Sequence, residues 1–152
     1  MLNTTLCYIE KDGCYLMLHR VKKEHDINKD KWIGVGGKAL ENESPEECVI
    51  REVLEETGLT LLSPRLRGVI TFISDTCEGE YMYLFTAPAP EGELKDCDEG
   101  VLEWVKKEEV PLLPIWEGDK LFLSELLRDR GFFTMKLSYL GERLVESKVN
   151  IY

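Results

Sequence analysis

Apolar and polar positions along the first forty residues predict a chain that begins with paired β-strands. Residues 4–10 and 14–20 are rich in β-forming side chains, and the short polar segment between them contains a glycine, which is typical of a hairpin. Residues 22–30 are highly charged and are predicted to form a loop. Residues 32–37 are apolar and rich in glycine, so we expect a strand that ends in a tight turn.

A helical pattern follows this turn. Ser44 is a suitable N-cap, Pro45 fits the first helical position, and Glu47 completes a capping box. The helix is predicted to run over residues 44–57 and to end before Gly58, which suits the position after a helix C-terminus. The residues predicted to face the core are Val49, Ile50, Val53 and Leu54.

The second half of the chain alternates again between strand and helix patterns. Strands are predicted over residues 65–74, 81–87, 101–105, 132–139 and 143–149, the last two forming a hairpin around Leu140 and Gly141. A second helix is predicted over residues 119–130, with an apolar face of Leu121, Phe122, Leu126 and Leu127. Strands and helices are interleaved without βαβ regularity, which indicates an α/β fold with a mixed sheet between helices.

Composition and charge narrow the functional classes. A length of 152 residues predicts a single domain over residues 1–152, and a net charge of −10 disfavours a polymeric nucleic acid as partner. An acidic protein can still act on phosphates when divalent cations reverse the local charge. No apolar stretch is long enough for a membrane helix, and five scattered cysteines favour reduced thiols in a cytoplasmic protein over a disulfide framework.

Three glutamates of the first predicted helix form an acidic stripe. Glu52, Glu55 and Glu56 fall within an arc of roughly 100° at the helical period. Taken alone, the stripe is more simply explained as a solvated helix face. However, like charges at this spacing destabilise a helix, and a hard cation such as Mg²⁺ would compensate them. Arg51 lies beside the stripe, and Glu43 is placed either to orient Arg51 or to add a ligand.

Residues 37–59 resemble the Nudix box, G-x5-E-x7-R-E-U-x-E-E-x-G-U, in which U is a bulky aliphatic residue. The matching residues are Gly37, Glu43, Arg51, Glu52, Val53, Glu55, Glu56, Gly58 and Leu59. The resemblance implies an α/β/α sandwich with a mixed β-sheet over essentially the whole chain. It also implies Mg²⁺ as cofactor, with Mn²⁺ as a substitute. The implied ligands are the three glutamates of the acidic stripe, together with the Gly37 carbonyl.

The same resemblance implies a reaction. The metals would neutralise a pyrophosphate group and align an attacking water, and a carboxylate would deprotonate that water. Glu55 and Glu56 are the candidates for this base, and Arg51 fixes a glutamate of the stripe. Glu99 matches a loop acid that often approaches the metals in related enzymes. The alternative for Glu99, a solvated loop charge, stays open.

Two further segments resemble MutT-type Nudix enzymes, which hydrolyse oxidised purine nucleoside triphosphates such as 8-oxo-dGTP. Residues 32–38 resemble the pattern W-x-G-x-G-G-K, and residues 116–119 resemble W-x-x-D. The resemblance implies that Trp116 stacks on the base and that Asp119 accepts a hydrogen bond from a purine N–H. It also implies that the products are a nucleoside monophosphate and pyrophosphate.

Lys38 and Phe72 complete the expected substrate site. Lys38 is placed to reach a phosphate, and Phe72 to line the pocket. Core packing remains an alternative for Phe72 and Trp116, and a solvated position for Lys38. Two departures from an animal relative also bear on the base: Ile33 stands where that relative has a base-contacting asparagine, and Gly118 replaces one of two adjacent acids.

Other functions remain open from the sequence. The chain lacks the markers that ADP-ribose hydrolases and dinucleoside polyphosphate hydrolases carry beyond the box, but another nucleoside diphosphate derivative is still an alternative substrate. A non-catalytic nucleotide-binding module is a second alternative, although such modules typically lose box glutamates. The expected partner is a small nucleotide, and both a monomer and a homodimer are compatible with the sequence.

Overall fold

A computed structural model of the protein describes all 152 residues. Eight strands form one mixed sheet, and two α-helices and a short 3-10 helix (Val110–Leu112) accompany it. The strands are β1 (Leu2–Lys11), β2 (Cys14–His19), β3 (Trp32–Ile33), β4 (Arg65–Ser74), β5 (Glu80–Pro88), β6 (Val101–Lys106), β7 (Phe133–Leu140) and β8 (Arg143–Ile151). The helices are α1 (Pro45–Thr57) and α2 (Glu117–Arg128).

The sheet has the order β3-β2-β1-β5-β4-β7-β8, with β6 paired to β2. β1 runs parallel to β5 and β4 parallel to β7, whereas the remaining pairs are antiparallel. The opening and terminal hairpins are therefore confirmed. The glycine-rich segment after β3 lies along β1, where Val35 bridges to Cys7 and Lys38 to Thr4. This contact fixes the segment that leads into α1.

Helix α1 begins as the sequence predicts. The Ser44 hydroxyl accepts a hydrogen bond from the Glu47 N–H at 3.0 Å, and the Glu47 carboxylate accepts one from the Ser44 N–H at 3.0 Å. The predicted core position of Leu54 is wrong, because this side chain is 46% exposed. Glu56 is buried instead, since it lies on the same helix face as Val49 and Val53 at spacings of i, i+4 and i+7.

Helix α2 begins two residues before its predicted start and ends two residues before its predicted end. Asp129, in a left-handed conformation, terminates it. The predicted apolar face is partly wrong: Phe122 and Leu126 are buried, but Leu121 and Leu127 are exposed. The helix buries Asp119 on the same side as Phe122 and Leu126, so its buried face includes a carboxyl group.

The two faces of the sheet carry separate hydrophobic clusters. One cluster contains Val49 and Val53 of α1, and the other contains Phe122, Leu123 and Leu126 of α2. A sheet covered by helices on both faces is the predicted α/β/α sandwich. No helix combines the length and the apolar composition that a bilayer-spanning segment requires. All five cysteines are free thiols, as expected from their scattered positions.

Candidate active site

Arg51 is the centre of the hydrogen-bond network on α1. Its guanidinium donates to both Glu43 oxygens, at 2.7 and 2.9 Å, to Glu52 at 2.9 Å and to Glu55 at 3.2 Å. A further bond reaches the Lys38 carbonyl at 3.1 Å. The hydrogen bonds from Arg51 and from the Leu40 N–H lower the pKa of Glu43 to about 2. Of the two roles open for Glu43, the structure therefore supports that of orienting Arg51.

The predicted metal ligands fall into two sets. Arg51 holds Glu52 and Glu55, whereas Glu56 lies against Glu99. The Glu55 side chain is 58% exposed, and in this arrangement no three acidic, histidine or cysteine side chains converge into a metal-binding group. Arg51 thus supplies positive charge to two of the three carboxylates in the acidic stripe.

Glu56 occupies an unfavourable position for a carboxylate. It is buried, and its Oε2 atom has no hydrogen-bond partner. Burial first, and then the neighbouring Glu99, raise the pKa of Glu56 to about 9. A buried acceptor without a partner costs free energy, which a ligand at this position would recover.

Glu99, unlike Glu56, lies in an environment that favours its ionised form. It accepts hydrogen bonds from Arg20 at 2.8 Å and from Lys23 at 3.1 Å. Burial alone would raise the pKa of Glu99, but Lys23 and Arg20 outweigh burial and hold this pKa below its ordinary value. Glu99 is therefore the ionised member of the pair, and Glu56 holds the proton. The loop acid is an ordered part of the site, not a freely solvated charge.

Gly37 brings the backbone against the acidic stripe. Its carbonyl accepts a hydrogen bond from the Thr5 N–H at 2.8 Å. A Cβ atom at this position would lie 2.5 Å from the Glu52 carboxyl carbon, so any larger residue would displace that carboxylate. The close approach explains why glycine is needed here. Lys38, the next residue, forms no salt bridge through its ammonium group.

A cavity of about 270 Å³, here called the Trp116 cavity, extends from Gly37 to the start of α2. It brings together all four residues predicted to bind substrate: Lys38, Phe72, Trp116 and Asp119. Its wall also contains Glu80, which accepts a hydrogen bond from Thr4 at 3.1 Å and whose pKa is raised by burial. A larger cavity, of about 450 Å³, lies beside Tyr83 and the start of α1 and shares Lys38 with the Trp116 cavity; no residue of the acidic stripe lines either cavity.

Trp116 belongs both to the core and to the Trp116 cavity. The side chain is only 7% exposed, and the rings of Phe72 and Tyr139 meet it edge-on with centroid separations of 6.1 and 5.2 Å. The Lys31 ammonium lies 4.8 Å from the centroid of the indole. The indole N–H donates to the Asn28 side-chain oxygen at 2.7 Å. These contacts hold the ring in place. Its hydrogen bond to Asn28 shows that Trp116 does more than fill the core.

Asp119 is buried at the same end of the cavity. Burial raises the pKa of Asp119 to about 8, although Lys31 opposes the shift. The neighbouring Gly118 donates its N–H to the Tyr139 hydroxyl at 2.7 Å, and a Cβ atom at Gly118 would lie 2.6 Å from that hydroxyl oxygen. An acidic side chain at position 118 would therefore clash with Tyr139 and with Leu137.

Two residues of this site were not singled out from the sequence. Asn28 lines the Trp116 cavity, and Arg20 holds both Glu99 and Asp26. The only available signal for Asn28 was that it and Ile27 interrupt a run of charged residues. Because the loop reaches the cavity only through tertiary contacts, that signal was too weak to assign a role.

Comparison with known proteins identifies the family. A model described as the NUDIX domain matches residues 3–126. The Nudix hydrolase YvcI of Bacillus subtilis (strain 168) is 31% identical over 143 residues, which are 91% of this chain and 87% of the relative. A Danio rerio protein named oxidized purine nucleoside triphosphate hydrolase is 33% identical over 112 residues, covering 72% of this chain and 71% of the relative.

A solved structure agrees with these sequences. The crystal structure of a MutT protein from Bacillus halodurans superposes with a TM-score of 0.86 and 30% identity, over 99% of this chain and 98% of that chain. The matched family model spans most of the present chain and includes the whole acidic stripe. The chain therefore belongs to the Nudix family, and it is a Nudix hydrolase.

Proposed function

We propose that the protein is a Mg²⁺-dependent pyrophosphohydrolase of nucleoside triphosphates that acts on oxidised purine nucleotides such as 8-oxo-dGTP. The products would be 8-oxo-dGMP and pyrophosphate. The observation that carries this proposal is the Trp116 cavity: Trp116 and Asp119 line one end, and Gly37, which lies against Glu52 of the acidic stripe, and Lys38 line the other. A nucleotide with its base at Trp116 would extend its phosphates toward these residues.

The residues present fit a hard divalent cation. Glu56 has a buried oxygen without a partner, and Gly37, which has no side chain, lets the Glu52 carboxylate lie against the backbone. Carboxylate and carbonyl oxygens are the ligands that Mg²⁺ prefers. The proposed holders are Gly37, Glu52, Glu55, Glu56 and Glu99, and Mn²⁺ would be accepted by the same oxygen ligands. When bound, the cation supplies charge neutralisation for the pyrophosphate group.

The chain's own residues then have distinct tasks. Arg51 holds Glu52 and Glu55 in place on the surface of α1. The general base would be Glu55, or Glu56 once a bound cation has displaced its proton, and it would accept the proton of the attacking water. Lys38, whose ammonium forms no salt bridge in the free protein, is available to a phosphate oxygen. Together these residues would bind and orient the substrate and deprotonate the attacking water.

Base recognition is assigned to the other end of the cavity. The Trp116 ring offers an apolar surface, and Asp119 offers a carboxyl group that can both donate and accept a hydrogen bond when protonated. A purine edge presents donors and acceptors side by side, which such a group matches. The name of the Danio rerio relative, which aligns with 72% of this chain, supports a substrate of this class.

The proposal is tested by hydrolysis of 8-oxo-dGTP beside dGTP, at equal low concentration with Mg²⁺ and with the products identified. We expect 8-oxo-dGMP and pyrophosphate, and a preference of at least about tenfold in kcat/KM for the oxidised nucleotide, because a buried polar group discriminates strongly between base edges. Equal rates would reject the oxidised-base assignment. Absence of Mg²⁺-dependent cleavage of either nucleotide would reject nucleoside triphosphates as substrates.

A further inference from the structure

The loop between β2 and β3 is folded over the Trp116 cavity. Arg20 forms a salt bridge with Asp26 at 2.7 Å, and the second Asp26 oxygen accepts a hydrogen bond from the Asn28 backbone N–H at 3.0 Å. These contacts turn the side chains of Ile27 and Asn28 toward the cavity, which both residues line. The loop therefore contributes one polar side chain, Asn28, to the place where a base is proposed to bind.

The orientation of the Asn28 amide follows from its partner. An indole N–H can only donate, so the atom of Asn28 that lies 2.7 Å from Trp116 Nε1 must be the carbonyl oxygen. The amide nitrogen, Nδ2, consequently points away from the indole. Nδ2 takes part in none of the hydrogen bonds of the protein, so both of its N–H groups are available to a ligand.

The other side chains of the Trp116 cavity make the Asn28 amide a candidate for selecting the base. Ile33 lines the same cavity and offers no polar atom, and Asp119 offers a carboxyl group. The Asn28 oxygen is already bonded to the indole N–H of Trp116. The direction of its amide donor, Nδ2, is therefore fixed. A fixed donor discriminates between a carbonyl oxygen, which accepts, and an amino group, which does not.

We infer that Asn28 is a specificity-determining residue whose Nδ2 donates a hydrogen bond to a carbonyl oxygen of the base. The site then favours oxopurine nucleotides, of the guanine and 8-oxoguanine type, over adenine nucleotides. The inference rests on the proposed function in one respect, namely that a nucleotide base occupies the Trp116 cavity. It adds a residue and a direction of preference that neither the Nudix box nor the W-x-x-D segment contains.

Asn28→Asp tests this role with little change in shape. The carboxylate keeps one oxygen for Trp116 Nε1 and replaces the donor Nδ2 with an acceptor. Dissociation constants for 8-oxo-dGMP, dGMP and dAMP are measured by titration calorimetry in EDTA, so that binding is separated from metal-dependent hydrolysis. We expect the ratio of oxopurine to adenine affinity to fall by about tenfold or more, the scale of one lost polar contact.

Asn150→Asp is the matched control, because Asn150 lies exposed on β8 and the substitution adds the same charge. It should leave all three dissociation constants unchanged. Trp116→Phe is a second variant: it leaves Asn28 in place but removes the N–H that fixes the amide, so the same ratio should fall. The comparison of dGMP with 8-oxo-dGMP distinguishes a contact at the oxygen common to both bases from one at the additional oxygen.

Two results overturn the inference in different ways. If wild-type protein binds the three nucleotides but Asn28→Asp and Trp116→Phe leave the ratio unchanged, Asn28 only ties the loop to Trp116, and the proposed function survives. If wild-type protein binds none of them at millimolar concentration, the assignment of the base to the Trp116 cavity fails, and the inference fails with it. In hydrolysis assays, Asn28→Asp should alter KM for the oxopurine substrate and leave kcat nearly constant.

Discussion

Carboxyl groups in and around the site differ widely in their affinity for protons. The hydrogen bonds from Arg51 lower the pKa of Glu43 to about 2, whereas burial raises the pKa of Asp119 to about 8. The first group is ionised at neutral pH and the second holds its proton. The ionised Glu43 orients Arg51 beside the acidic stripe, whereas the protonated Asp119 lines the Trp116 cavity, where the base is proposed to bind.

The raised pKa of Asp119 predicts a pH-dependent cost to stability. An unfolded aspartate ionises near pH 4, whereas the folded group keeps its proton up to about pH 8. Between these values the folded state binds the additional proton, so the wild-type protein loses stability as the pH rises. Asp119→Asn removes this titration. We expect its melting temperature to exceed that of wild type by several degrees at pH 8 and by much less at pH 5.

The control for this prediction is Asp98→Asn, which changes an exposed aspartate. Its melting temperature should follow that of wild type at both pH values. The melting temperatures of Asp119→Asn and wild type could instead differ by the same amount at pH 5 and pH 8. That result would contradict the assignment of a protonated Asp119, because a purely steric effect does not depend on pH.

At the level of elements, α1 is specified by local interactions and α2 by tertiary ones. The capping box of α1 is formed by side chains three residues apart, and its acidic stripe follows from the helical period. Helix α2 begins at Trp116 without a side-chain cap, and its first turn is positioned by the contact of Gly118 with Tyr139. This difference explains why one helix was predicted closely and the other was displaced.

The capping box predicts the effect of Ser44→Ala. Removal of the Ser44 hydroxyl leaves the Glu47 N–H without its partner, which should cost about 1 kcal/mol. The melting temperature should fall by roughly 2–4 °C, the shift expected for a chain of this size. Ser124→Ala, on α2 and away from any cap, is the control and should change it little. An equal loss in both variants would show that the hydroxyl at Ser44 has no capping role.

The parts of the site that follow from local sequence were predicted, and the parts created by packing were not. The acidic stripe and Arg51 lie on one helix, so their spacing sufficed. Burial of Glu56 and exposure of Leu54 depend on how α1 sits against the sheet, which the apolar pattern alone placed incorrectly. Asn28 is separated from Trp116 by 88 residues, and only the fold brings them together.

The whole molecule combines a strongly acidic composition with chemistry on anionic substrates. A net charge of −10 would repel a nucleoside triphosphate at long range. Within the site, Arg51 supplies positive charge to the acidic stripe, and Arg20 and Lys23 supply it to Glu99. The remaining carboxyl oxygen without a hydrogen-bond partner is the buried Oε2 of Glu56. The divalent cation proposed to bind here would change the sign of the local charge where the phosphates are proposed to bind.

The most direct test of this account compares hydrolysis of 8-oxo-dGTP by wild type, Glu56→Gln and Glu46→Gln in Mg²⁺, with melting temperatures recorded in EDTA. Glu46 lies exposed in the first turn of α1 and controls for the loss of a helix glutamate. We predict that Glu56→Gln melts no lower than wild type in EDTA, since a neutral amide suits the buried position, yet turns over at least about a hundredfold more slowly. Glu46→Gln should match wild type. Near-normal turnover by Glu56→Gln, or wild-type turnover that persists in EDTA, would contradict the metal-dependent role of the acidic stripe.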